Sequence, residues 1–204
     1  NESDVEYVNR LSHIVAQLKS ATLIEKPAFI CLQELPSSVV ERDGLKKKLK
    51  QSLDKYSFHA INHRKTGSYL ATLYDGAIYN CHELLTAAIS TVALNEGLSK
   101  RILPIVFLHK VTHESTLVVN VHADFCKDVK QDVLALFECA KKLKITNVML
   151  IGDFNRDLLC DTDDYSKHDI SHALDVNYRL NEVVEVNTSI SSSLSSHYDA
   201  TNGS

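Results

Sequence analysis

No CxxC pair occurs in this 204-residue sequence, and its five cysteines, Cys31, Cys81, Cys126, Cys139 and Cys160, are odd in number. That spacing speaks for free thiols rather than a disulfide framework. Cys31, Cys126 and Cys139 sit in apolar stretches, where a thiol behaves as a small buried hydrophobe, and the pattern points to a reducing compartment. No apolar run approaches the roughly 20 residues that cross a bilayer, so no transmembrane segment is expected. No secretory signal is visible either. Basic residues are not in excess: 22 Lys+Arg stand against 26 Asp+Glu, for a formal charge of −4. Global charge therefore gives no support to non-specific binding of nucleic acid or anionic membrane. No internal repeat with a period of about 20 to 50 residues is present, which excludes solenoids and propellers.

What is present is a globular composition, 44% hydrophobic and 24% charged. The length allows one ordinary domain, taken here as residues 1–204. Val5, Val8, Leu11, Val15 and Leu18 recur at helical spacing, with Ser3 or Asp4 available as a cap. "PAFICLQELP", bracketed by Pro27 and Pro36, reads as a buried strand. "GLKKKLKQSLDKYS" reads as a helix whose Lys46, Lys47, Lys48 and Lys50 form a solvated basic face. "SYLATLYDGAIYN" carries the hairpin signal Asp75-Gly76. "RILPIVFLHKV" and "STLVVNVHADF" read as two strands, "KQDVLALFECAKKLK" as a helix, and "ITNVMLIGDFN" as another buried strand. The stretch after it is polar, then partly helical, and the serine-rich end has no hydrophobic period. Alternating strands and helices with a hairpin predict a mixed α/β sandwich.

Three apolar strands end in chemistry-capable residues. The first ends Gln33-Glu34, the second carries Asn120 and His122, and the third ends Asp153 and Asn155. Alternation along a strand puts Asn120 and His122 on one face, and likewise Asp153 and Asn155. Each residue alone is ordinary: a Glu ending a strand is usually solvated, and "GDFN" alone is turn-like. Together they suit metal-assisted phosphate chemistry. Glu34 and Asp153 offer hard oxygens to Mg²⁺ or Mn²⁺, which takes one or two carboxylates and keeps several waters. Asp153 would also orient or deprotonate an attacking water. His122 and Asn155 would bond the phosphoryl oxygens as charge develops, and Asn120 and Asn155 are read as phosphate-binding. Gly152 would let the backbone approach closely.

"ICLQE", "LVVNVHADF" and "MLIGDFN", in this order, resemble the endonuclease/exonuclease/phosphatase superfamily, which includes deoxyribonuclease I-like nucleases, inositol-polyphosphate 5-phosphatases, sphingomyelinases and deadenylases. The resemblance spans most of the chain. It implies a four-layer α-β-β-α sandwich of two packed mixed sheets with terminal strands missing. It implies Glu34 as metal ligand, His122 in contact with the scissile phosphate, Asp153 positioning the nucleophilic water, and Asn155 beside it. The family's first strand ends in an asparagine, and Asn1 lies in about that place. The family's closing Ser-Asp-His has its nearest match at Ser195-Ser196-His197, only about forty residues after "GDFN" and with serine for aspartate. Asn1 and His197 are thus unassigned candidates, and His197 is not read as the catalytic histidine.

The first function expected is divalent-metal-dependent hydrolysis of a phosphate ester by in-line attack of water, on a nucleic acid, phosphoinositide or other ester. The second is a catalytically inactive binding module on the same fold. The chain itself reads as a fragment lacking terminal strands or as a shortened relative. The absence of an initiator Met and the partnerless serine-rich end favour the fragment. "HDISH" at His168 and His172 has Asp169 where a zinc helix has glutamate and shows no third ligand. "DTDDYS" from Asp161 lacks the glycine and glutamate of a calcium loop. Asn187 and Asn202 begin glycosylation sequons that matter only in a secreted protein.

Overall fold

Leu11, Val15 and Leu18 follow each other at four and three residues, and they form the buried stripe of the first helix, α1 (Asp4–Glu25). The computed structural model describes residues 4–35, 39–61, 69–95, 102–122 and 130–153. These all lie in the first of two units, Asn1–Ile170 and Ser171–Ser204. After α1 come β1 (Phe29–Leu35), α2 (Val39–Ser52), β2 (Tyr56–Ile61) and β3 (Tyr69–Asp75). The three strands form an antiparallel sheet in the order β1-β3-β2. One face of it, with Tyr56, Tyr69, Ala71 and Leu73, packs on Leu45, Leu49 and Leu53 of and beside α2 and on the α1 stripe.

The second half supplies β4 (Tyr79–Cys81), α3 (Glu83–Asn95), β5 (Ile102–His109), β6 (Ser115–His122), α4 (Lys130–Lys142) and β7 (Asn147–Asp153). Its strands form a mixed sheet in the order β4-β5-β6-β7, with only β6 and β7 parallel. The sheets meet face to face through Leu70, Leu103, Ile105, Phe107 and Val118, joined by Phe29, Cys31, Tyr74 and Ile151. Phe107 is the hub: its ring lies 4.9 Å from that of Phe29 and 4.8 Å from that of Tyr74. On the opposite parity Val106, Leu117, Val119 and Val121 are fully buried, on the side where α3 packs on β5 and α4 on α3. Helices, sheet, sheet and helices make the four-layer α-β-β-α sandwich that the family resemblance implies. Among the described residues the three-stranded sheet is purely antiparallel and only the other is mixed.

Several expectations need correction. Asp75-Gly76 does not close a hairpin. β3 and β4 lie in different sheets, and the turn carries the chain between them, held by Asp75 Oδ1 accepting from Ala77 N–H at 2.9 Å and by Gly76 N–H donating to Lys55 O. Neither β2 nor α3 was legible as an element. β2 is a short run following directly on a basic helix, and α3 is apolar on most sides, which hides a 3.6-residue period. The strands β1 and β7, expected to be buried, are edge strands among the described residues and only partly covered; Met149 is 43% exposed. An edge strand lacks a neighbour on one flank, so an apolar sequence does not suffice to bury it. Lys46, Lys47 and Lys50 are exposed as expected, while Lys48 donates to Ser12 Oγ at 3.1 Å. No helix among the described residues is long and apolar enough to cross a membrane.

The hub sets a stability test. Phe107→Ala removes a fully buried ring and is expected to cost about 3–5 kcal/mol in urea unfolding. Leu84→Ala, at a position 80% exposed, is expected to stay within about 0.5 kcal/mol. Equal effects at the two sites would contradict this account of the core.

Candidate active site

Parity decides what reaches the rim between the sheets. Val118 lies in the inter-sheet core, so Asn120 and His122, two and four residues on, face the same way along β6. Ile151 lies there too, which directs Asp153 to the same side of β7. The parallel register sets His122 directly against Asp153 and Asn120 against Ile151. Phe29 and Cys31 face inward from β1, which aims Gln33 into the same gap. Alternation thus brings Gln33, Asn120, His122 and Asp153 from three strands to one place.

Gly152 makes the last pairing possible. Its φ is +149°, and a Cβ there would overlap the carbonyl oxygen of Val121 on the neighbouring strand. Only glycine permits both that backbone conformation and that approach. The close backbone approach expected at this position is therefore present, and its partner is β6.

Glu34 is exposed, with 77% of its side-chain surface open, yet its Oε1 lies 3.4 Å from Nε2 of the buried His122. Its backbone is left-handed, φ +54°, inside a strand, a region that residues with a Cβ seldom occupy. The other imidazole nitrogen, His122 Nδ1, is buried without a hydrogen-bond partner. Asp153 is exposed at the end of β7. Glu34, His122 and Asp153 therefore gather at one rim, while Asn155, Asn1 and His197 lie outside the described residues, as do His168, His172 and the stretch from Asp161.

Asn120 departs from the sequence reading. It is fully buried, and its Nδ2 donates to Leu32 O at 3.1 Å and to Ala71 O at 2.9 Å. Its Oδ1 accepts from Gln33 Nε2 at 2.7 Å. No N–H is left for a phosphoryl oxygen, so in this geometry Asn120 does not serve as a phosphate ligand. Sequence reasoning assigned no role to Gln33; its parity with Phe29 and Cys31 was the available signal. Beneath it, burial pushes the Cys31 thiol up to about 12, partly offset by the hydroxyl of Thr72. This cysteine packs, partly buried, against the inter-sheet core, where its thiolate is disfavoured.

Among the described residues no group of three or more His, Cys, Asp or Glu side chains is placed to hold a metal ion. The donor set still fits a hard divalent cation, because Mg²⁺ is commonly held by one or two carboxylates with water and substrate phosphate completing the shell. Glu34 and Asp153 supply two. The unpartnered His122 Nδ1 is a polar deficit of the kind that functional sites carry.

No family model and no curated protein matches the chain. Solved structures do. The chain is 15% identical to an endonuclease/exonuclease/phosphatase from Bacteroides vulgatus, over 80% of this chain and 62% of that one, with a TM-score of 0.56. It is 16% identical to a mannosyl-6-phosphatase from Bacteroides thetaiotaomicron, over 81% and 64%, at 0.54. With the catalytic domain of human Nocturnin, solved with a bound sulfate anion, the identity is 14% over 82% and 63%, at 0.51. These likenesses establish the fold: the chain has the architecture of endonuclease/exonuclease/phosphatase structures and spans less than two thirds of their length.

Two outcomes follow. Gly152→Ala should break the β6–β7 pairing at its upper end and cost about 3 kcal/mol or more in chemical unfolding; a neutral effect would show the close approach to be dispensable. Cys31 should resist alkylation at pH 8 in the folded chain, where burial disfavours its thiolate, and react on unfolding. The sign for stability is set by the raised value. Below the unfolded pKa, roughly 8.5, both states keep the proton. Above it only the unfolded chain ionises, so the contribution of Cys31 is lost as pH rises toward about 12. Comparing the pH dependence of unfolding with that of Cys31→Ala measures it.

Proposed function

We propose that the rim formed by Glu34, His122 and Asp153 is the site of a divalent-metal-dependent phosphate-ester hydrolase. The observation that carries this reading is the convergence of an exposed carboxylate on a left-handed backbone with a buried imidazole at 3.4 Å, next to a second carboxylate in register with that imidazole. Backbone strain of this sort persists where the surroundings over-determine it, and it concentrates at functional sites. The fold shared with a mannosyl-6-phosphatase and with other endonuclease/exonuclease/phosphatase structures supports the reading.

Glu34 and Asp153 would hold Mg²⁺ or Mn²⁺, which when bound supplies charge neutralisation at the phosphoryl oxygens and orients the ester. Asp153 would position the water for in-line attack by accepting one of its protons. His122 would donate from its imidazole to a phosphoryl or leaving oxygen, from a ring that packing holds in place. Asn155 is assigned to the phosphate by its place after Asp153. The acidic balance of the chain, −4, favours a lipid or small-molecule phosphate over a long nucleic acid, since nucleases ordinarily present a basic groove.

A binding module on the same fold is the second reading. The engagement of Glu34 by His122 favours it, because a carboxylate held by an imidazole is partly closed to a cation. One assay separates the two. Under the first reading, bis(4-nitrophenyl) phosphate or 4-nitrophenyl phosphate is hydrolysed in Mg²⁺ or Mn²⁺, and Glu34→Gln and Asp153→Ala each lower the rate about 100-fold or more. Absence of hydrolysis of both esters in both metals, or full activity in both variants, would overturn it. Metal-dependent binding of the ester without turnover is the outcome the second reading expects.

A further inference from the structure

We propose that Asn120 and Gln33 are positioning residues that hold Glu34 turned out of its strand and toward the site. The consequence for metal binding rests on Glu34 being the cation ligand of the reading above. Simple alternation would send Glu34 the other way. Ile30 and Leu32 pack on the helix-side core, and Glu34, two residues further, would follow them into an apolar layer where a carboxylate is costly.

The register shows how the chain avoids this. Leu32 pairs with Ala71, and the next pair is Leu35 with Tyr69. Two residues of β1, Gln33 and Glu34, therefore stand opposite Leu70 alone, which is a β-bulge. A bulge re-aims the side chains around it. Leu35 takes the helix-side place instead, buried in the same core as Leu32 and Ile30. Glu34 absorbs the change in its left-handed φ.

All three hydrogen bonds of the Asn120 carboxamide bracket that bulge from the opposite sheet. The two donated bonds go to Leu32 O and Ala71 O, the carbonyls of the last in-register pair before the shift. The accepted bond comes from Gln33, the first residue of the bulge. Asn120 is fully buried, so no water replaces a lost partner, and an unmade bond there carries its whole desolvation penalty. Asn120 sits two residues before His122 on one strand face. The same carboxamide thus sets the distance between the bulge that presents Glu34 and the strand that presents His122. Positioning partners of this kind characteristically tune metal affinity without touching the metal.

The test uses the 204-residue chain, with Gln33→Met, which keeps volume and removes the donor, and Asn120→Leu, which removes all three bonds. The Cα and Cβ chemical shifts of Glu34 report its left-handed backbone, and Mn²⁺ alone, titrated by electron paramagnetic resonance, reports the carboxylate. In Gln33→Met the Glu34 shifts are expected to move toward extended-strand values and Mn²⁺ affinity to fall about tenfold, with the β5 signals unchanged. Asn120→Leu, if it folds, should do the same more strongly. Unmoved Glu34 shifts in Gln33→Met overturn the proposal, as do moved shifts with undiminished Mn²⁺ binding. A wild-type chain that binds no Mn²⁺, or a Glu34→Gln variant that binds it as tightly, sinks the metal reading instead. The Glu34 shifts then decide the positioning by themselves.

Discussion

A buried carboxamide must find partners for every polar atom, and Asn120 finds them all in the other sheet. Its donors reach the carbonyls of β1 and β3, and its acceptor takes the side chain of Gln33. Apolar packing alone would let two twisted sheets slide over one another with little penalty, because dispersion and burial are not directional. Hydrogen bonds with fixed geometry remove that freedom. The inter-sheet core centred on Phe107 supplies the larger share of stability, and the Asn120 contacts supply the registration of one sheet on the other. Everything at the rim depends on this registration, since Glu34 comes from one sheet and His122 and Asp153 from the other.

The two ends of the strands treat similar residues in opposite ways. At the end away from the site, polar side chains are consumed locally. Asp75 is held by Lys55 at 3.1 Å and by Ala77 N–H, and His109 Nδ1 accepts from the backbone of Val111 and Thr112. These turn residues have their hydrogen bonding completed by the turn backbone and, for Asp75, by Lys55 as well. At the site end, His122 Nδ1 has no hydrogen-bond partner among the described residues and Glu34 leaves most of its side chain in the open. Histidine and carboxylate occur at both ends, and the two ends differ in whether the fold completes the hydrogen bonding of the histidine.

Much of the site was readable because strand alternation is a local rule. The apolar residues Val118 and Ile151 predict which way His122 and Asp153 point, and the three motif-bearing strands were placed correctly. The reading failed wherever a non-local fact intervened. Asn120 looks like a ligand because it shares a face with His122, yet its amide is spent on β1 and β3, which lie far away in sequence. Asp75-Gly76 has the composition of a hairpin, and the chain uses the turn to change sheets. β7 is as apolar as a central strand, and among the described residues its place at the end of the sheet leaves it half open.

Sequence by itself determined the element types with clear periods, the apolar strands, and the short list of polar residues that terminate them, because these follow from spacing and side-chain chemistry within a few residues. It also pointed to a close backbone approach at Gly152, while the φ of +149° and the partner strand β6 came from the structure. Only the tertiary structure decided which strands became neighbours and that Glu34 turns toward His122 rather than into the helix-side core. Those outcomes rest on pairing across sheets and on a one-residue register shift. Neither leaves a local signature, because the energy that selects them comes from partners that folding brings together.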